Sequence, residues 1–197
     1  MGLLSRLFGR AEAQPTEAVR PPEADVSSLD AETYFALLDS IRATQSRREC
    51  IRMLEYCAQS LALLPSLVRD CRRQYGAFDV CSIPAIEIGC RYWAALRDGD
   101  RLRQVAEVVS QVPILKKEWG HVVKTAFSDL ELAARVEACI GKNPGLLQTK
   151  LGKAVGAPGK DTTRLVATLT NLGSVVRTRS GKSYELRLAG GAAHLTR

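Results

Sequence analysis

The side chains that could do chemistry are unevenly spread along this 197-residue chain. Between Asp129 and Arg197 there are eleven lysines and arginines and only five carboxylates, whereas the first 128 residues carry seventeen basic and sixteen acidic groups. The positive potential therefore belongs to the last third, and such an asymmetry implies a polyanionic partner. Lysine and arginine contact phosphate oxygens as charge-assisted donors, and arginine also reaches guanine edges. Catalytic constellations are missing by contrast. The chain has no phosphate-binding glycine loop, no G-x-S-x-G elbow and no HExxH pair. His121 is one of two histidines and reads as a surface or boundary residue near Trp119 and Lys124. Asp79 and Glu87 have no partner at a spacing that suggests acid–base work. The expectation is a protein that is not an enzyme and needs no cofactor.

Six cysteines, at 50, 57, 71, 81, 90 and 139, form no CxxC pair. Without clustered Cys or His, no metal site is expected. They read as reduced thiols packed as small hydrophobes, in a cytoplasmic protein without structural disulfides. No apolar run approaches the roughly 20 residues that cross a bilayer. Residues 1–10, MGLLSRLFGR, lack the apolar core and cleavage site of a secretory signal, and Arg6 breaks the myristoylation pattern. Leu3, Leu4, Leu7 and Phe8 share a helical face flanked by Arg6 and Arg10, which suits weak contact with an anionic membrane or a partner groove.

The elements that must position the cations follow from periodicity. Residues 11–28, AEAQPTEAVRPPEADVSS, have none and read as a flexible linker, so residues 1–28 form an N-terminal segment. Residues 29–128 read as a helical domain of five or six helices. Ser28 or Asp30 can cap the first, with Tyr34, Leu37, Leu38 and Ile41 in one stripe. A second runs from Arg47 to Leu64 with Cys50, Ile51, Leu54, Cys57 and Leu61 on one face. Pro65 breaks or restarts it, and the apolar pattern continues to Tyr75 before Gly76. Pro84 opens a helix through Tyr92, Trp93 and Leu96, with both aromatics in the core. Leu102, Val105, Val108 and Val109 mark the next. Residues 84–117 make one pair similar to a tetratricopeptide unit, with no further copies at about 34 residues. A last helix spans Leu115–Phe127. This domain would supply dimerisation or a partner surface.

Residues 129–190 read as a second unit, followed by a tail, 191–197. Leu130, Leu132, Ala133, Val136 and Ile140 give its first helix, broken at Asn143-Pro144-Gly145. The second covers Leu146–Val155, with Leu147, Leu151, Ala154 and Val155 inward. The third covers Lys160–Leu172, with Leu165, Val166, Leu169 and Leu172 inward and Gly173 as its stop. Two alternating segments, Val175–Arg179 and Ser183–Leu188, flank the turn Ser180-Gly181-Lys182 as a hairpin, with Tyr184, Leu186 and Leu188 on one face. Helix, helix, turn, helix, hairpin is the order of a winged helix. The fold class is thus mainly α, a helical domain followed by a winged helix-turn-helix domain with one β-hairpin.

The stretch GAPGKDTTRLVATLTNLGSVVRT resembles, without a gap, the helix-turn-helix core of bacterial winged-helix regulators, including the MarR-like group. Gly156, Leu169 and Gly173 fit its turn, recognition helix and link to the wing. The resemblance covers about sixty residues and implies docking of the third helix in the major groove. It assigns Lys160, Thr163, Arg164, Ala167 and Thr168 to the DNA-facing side. Arg177, Arg179 and Lys182 would reach backbone or minor groove from the wing tip, and Lys150 and Lys153 would position the backbone. Ala167 and Thr168 stand where such regulators often have Arg or Lys, and Thr162 where an apolar residue is usual. So few cations imply weak binding by a monomer and hence a dimer. The expected function is a DNA-binding transcription regulator with double-stranded DNA as partner. The alternatives are a non-enzymatic adaptor whose two domains bind proteins, and an RNA-binding variant of the same face.

Overall fold

Apolar side chains three and four residues apart organise most of this structure, a computed structural model that describes residues 28–46, 49–78 and 82–190. The segment 1–10, the linker up to residue 27, Asp79, Cys81, His194 and the tail lie outside the described residues, as do the side chains of Ser28 and Asp30. Helix α1 is Ser28–Ser46, and Tyr34, Leu37, Leu38 and Ile41 are its buried stripe, as the spacing predicts. It packs on α2, Cys50–Tyr75. Here the expected break at Pro65 is corrected: α2 runs through the proline. A proline in mid-helix removes one hydrogen bond. Burial of Leu61, Leu64, Leu67 and Val68 on either side offsets that loss. Ile51, expected on the inner face, is 54% exposed because the buried stripe passes through Met53, Leu54 and Cys57 instead. Gly76 ends the helix in the left-handed conformation, at φ 73°.

Pro84 opens α3, Pro84–Ala95, which buries Ile86, Tyr92 and Trp93. Helix α4, Gly99–Gln111, begins where the Asp98 side chain accepts a hydrogen bond from the Arg101 amide, a cap of the kind aspartate favours. Pro113 then starts α5, Pro113–Lys142, a single helix of 30 residues. The sequence reading places a boundary between two units at 128/129. In the backbone there is no break there, because nothing between Phe127 and Leu130 interrupts hydrogen bonding. In the packing there is one. Apolar residues up to Ala126 join a first core with α1 to α4. From Leu132 onward they join a second core with the C-terminal elements. Ala95 of α3 belongs to that second core, and Leu172 touches both.

After α5 the chain forms β1, Leu146–Leu147, then α6, Gln148–Val155, and α7, Gly159–Asn171. Strands β2, Val175–Ser180, and β3, Ser183–Leu188, make the wing. The sheet is antiparallel in the order β1-β3-β2, with Leu146 opposite Leu186 and Arg177 also opposite Leu186. The sequence pattern places Leu146 and Leu147 at the start of a helix; they form instead a third strand, paired with β3. Ala154, expected inward, is exposed, and Leu151 and Val155 alone carry the inner face of α6 with Gly152. The chain is mainly α-helical, and α5 to β3 have the winged-helix arrangement. Among the described residues no helix is long and apolar enough to cross a membrane.

Candidate nucleic-acid interface

In DNA-binding winged helices the third helix docks in the major groove, so the three faces of α7 decide whether this chain could do the same. The first face is the core. Thr162, Leu165, Val166 and Leu169 are buried against α5, α6 and β2. Thr162 stands at an apolar position without penalty because its hydroxyl donates to the Gly159 carbonyl at 3.0 Å.

The second face is closed by the helical domain, which the sequence does not reveal. Arg164 Nη2 lies 2.9 Å from both carboxylate oxygens of Asp129 on α5 and 3.5 Å from Asp161. Thr168 is 3% exposed, and its hydroxyl turns back to the Arg164 carbonyl at 3.2 Å. At the last turn Asn171 Nδ2 donates to the Tyr92 hydroxyl of α3 at 3.2 Å. The Cys50 thiol of α2 donates to the Asn171 carbonyl at 3.5 Å. Two expected DNA contacts are therefore corrected: Arg164 is neutralised by the chain's own carboxylates, and Thr168 is buried. A helix of 3.6 residues per turn places 164, 168 and 171 on one flank, and α3 and α5 lie along it.

The third face is open. Lys160 and Thr163 are exposed there, with Ala167 and Thr170 half-buried. Only one cation, Lys160, stands on this stripe. The others come from neighbouring elements. Lys150 and Lys153 are exposed on α6, and Arg179 and Lys182 on the wing. Ser183 Oγ donates to Thr149 Oγ1 at 3.4 Å, bringing the wing turn to the start of α6. Lys150 and Lys182 each stand one residue from that contact. Arg177 is a further correction. It is half-buried, and its guanidinium lies 4.1 Å from the centre of the Tyr184 ring, with Nε buried and without a hydrogen-bond partner. The reason is register: opposite Leu186, which is fully buried, Arg177 must share the inner face of the sheet.

Of the remaining described cations of this unit, Lys142 is exposed at the end of α5 without an ion pair, and two are engaged. Arg187 lies 3.9 Å from Glu185, and Arg135 donates to the Val155 carbonyl at 3.1 Å. Among the described residues Lys150, Lys153, Lys160, Arg179 and Lys182 make no ion pair. Among the described residues Asp129 is the carboxyl displaced from its ordinary value. Burial lifts it above its ordinary value, against the opposing pull of Arg164.

One residue that the sequence reading passed over sets the angle of α7. Gly152 is buried where α6 meets the turn, and a Cβ there would stand 2.9 Å from the Ala157 carbonyl oxygen and 3.3 Å from Gly159 Cα. Its only sequence signal is a glycine inside a short helical pattern, which usually marks close approach of backbone. Away from the interface, Glu87 accepts hydrogen bonds from Ser82 Oγ at 3.1 Å and Trp119 Nε1 at 3.4 Å, and His121 is exposed on α5. Comparison of the chain with protein-family models, curated proteins and solved structures returns no match.

Proposed function

We propose that this chain is a cytoplasmic, non-enzymatic DNA-binding protein, a transcription regulator that docks its winged helix on duplex DNA. The observation that supports this most is the set of five exposed cations without carboxylate partners, distributed over α6, the start of α7 and the wing. Carboxylates that could neutralise them are scarce in this unit, and Asp129 and Asp161 are already occupied by Arg164. The open stripe of α7 offers Lys160, Thr163 and the small Ala167 to a groove. The lysines of α6 and the wing then lie along the phosphates on either side. Small residues at the centre of that stripe limit base readout, so most of the affinity is electrostatic.

Five phosphate contacts predict a log–log salt slope of about −4 to −5 for one chain, from roughly −0.9 per phosphate on duplex DNA. Self-association through the helical domain would double it. The test is fluorescence anisotropy of a labelled duplex between about 50 and 200 mM salt, the range in which such contacts lose affinity steeply. Changing Lys150, Lys153 and Lys182 together to Gln should flatten the slope by about three contacts and leave melting unchanged. Absence of duplex binding in low salt, or binding indifferent to salt, refutes the proposal. The second result would favour an adaptor with an apolar protein interface.

A further inference from the structure

Arg164 is a strong phosphate-binding side chain in an odd position. It stands on α7, one helical turn beyond Lys160, yet it points to the helical domain. The pair it makes with Asp129 is asymmetric. The Asp129 side chain is 11% exposed and fixed within α5, whereas that of Arg164 is 38% exposed at the end of a flexible stem. Only Nη2 is engaged by the carboxylates; Nε and Nη1 make no ion pair or hydrogen bond among the described residues. Beside the pair lies a cavity of about 270 Å3 lined by Arg91, His121, Thr125 and both partners, open to solvent. The guanidinium therefore borders open space rather than close-packed core on that side.

We propose that Asp129 latches Arg164, and that a DNA phosphodiester competes for it, so α5, the helix shared by the two cores, holds one contact of the recognition helix in reserve. This rests on the reading of α6, α7 and the wing as a duplex-binding unit. In the closed state Nη2 of Arg164 binds Asp129 and the open face of α7 has Lys160 as its single cation. In the open state the guanidinium rotates toward the groove and adds a second. Anything that occupies Asp129, or neutralises it, would strengthen DNA binding.

A double-mutant cycle tests this: wild type, Asp129→Asn, Arg164→Ala and the double variant, each titrated with the same duplex at several salt concentrations. The amide keeps the shape of the carboxylate, and circular dichroism checks the fold. Asp129→Asn should tighten binding about tenfold near 0.1 M salt and steepen the salt slope by about one, the contribution of one more phosphate. Arg164→Ala should then cost about tenfold in the Asp129→Asn background and about twofold or less in the wild type. Equal costs in both backgrounds would mean that Asp129 acts only as a distant charge, and would overturn the latch while duplex binding itself stood. Failure of wild type and Asp129→Asn alike to bind duplex would overturn both proposals. If Asp129→Asn does not fold, the wild type carries the test through the Arg164 Nε–H resonance. It should move when duplex saturates the protein, and a resonance that stays in place overturns the latch.

Discussion

Asn171 at the end of α7 donates from Nδ2 to the hydroxyl of Tyr92 in α3, across 3.2 Å and 79 residues of sequence. The Asn171 carbonyl in turn accepts from the Cys50 thiol of α2, so three helices meet at Asn171. Tyr92→Phe keeps the buried ring and removes its hydroxyl oxygen. The expected loss is about 0.5–1 kcal/mol, the net worth of one hydrogen bond, because Asn171 is exposed and can turn to water. Urea denaturation measures it. A loss above about 3 kcal/mol would show that the oxygen holds the two cores together rather than trimming their contact.

Gly152→Ala should be costly although alanine is the better helix former. Its methyl would meet the Ala157 carbonyl at 2.9 Å, a backbone atom that cannot rotate away. Overpacking of this kind costs about 1–3 kcal/mol, more than the roughly 1 kcal/mol that alanine contributes by propensity. Because relief requires the turn to open, Lys160 would move with α7, and duplex affinity should fall as well. Thermal melting together with anisotropy checks both; an alanine variant as stable as wild type would contradict the close approach.

Asp129 predicts an unusual pH dependence. Folding raises its pKa, so its carboxylate costs stability wherever it is ionised in both states. That cost is fully present at neutral pH and fades as pH falls through the raised folded value. Asp129→Asn should therefore melt at or slightly above wild type near pH 7, with the gap closing below about pH 4, the ordinary aspartate range. Melting curves across that window decide it. A wild type that gains on the variant as pH rises would mean that the attraction of Arg164 outweighs burial.

Burial also pushes the thiols of Cys57 and Cys90 up to about 12. Thiolate is the reactive form, so both should resist alkylation in the folded protein at pH 8. Half-buried Cys139 should label before either of them, and peptide mapping distinguishes the sites. Rapid labelling of Cys57 in native conditions would place it outside the core.

The stripe from Tyr34 to Ile41, the aromatic core of α3 and the hairpin after Gly173 are legible in the sequence, because each is a local pattern facing one core. What escapes it is tertiary. Pro65 looks like a break because its lost hydrogen bond is visible and the flanking leucines' burial is not. Leu146 and Leu147 form a strand too short to show a period of two. Thr168 and Arg164 look like the polar face of an amphipathic helix, yet a second domain covers them. An arginine between β-branched neighbours, as at Arg177, gives no hint that it will stack on the exposed ring of Tyr184. Lys150, Lys153, Lys160, Thr163, Arg179 and Lys182 lie on the surface as expected, since lone charges and small polar groups have little reason to be elsewhere.

The unbroken passage of α5 through both cores makes the two units a geared pair. Each added residue turns a helix by about 100° and advances it about 1.5 Å. One residue inserted between Asp129 and Leu132 would therefore put the two cores out of phase and carry Ala95 away from the second of them. Asp129 and Tyr92 would no longer face their partners on α7. The phase of this helix, rather than a flexible hinge, sets what the recognition helix shows to the outside.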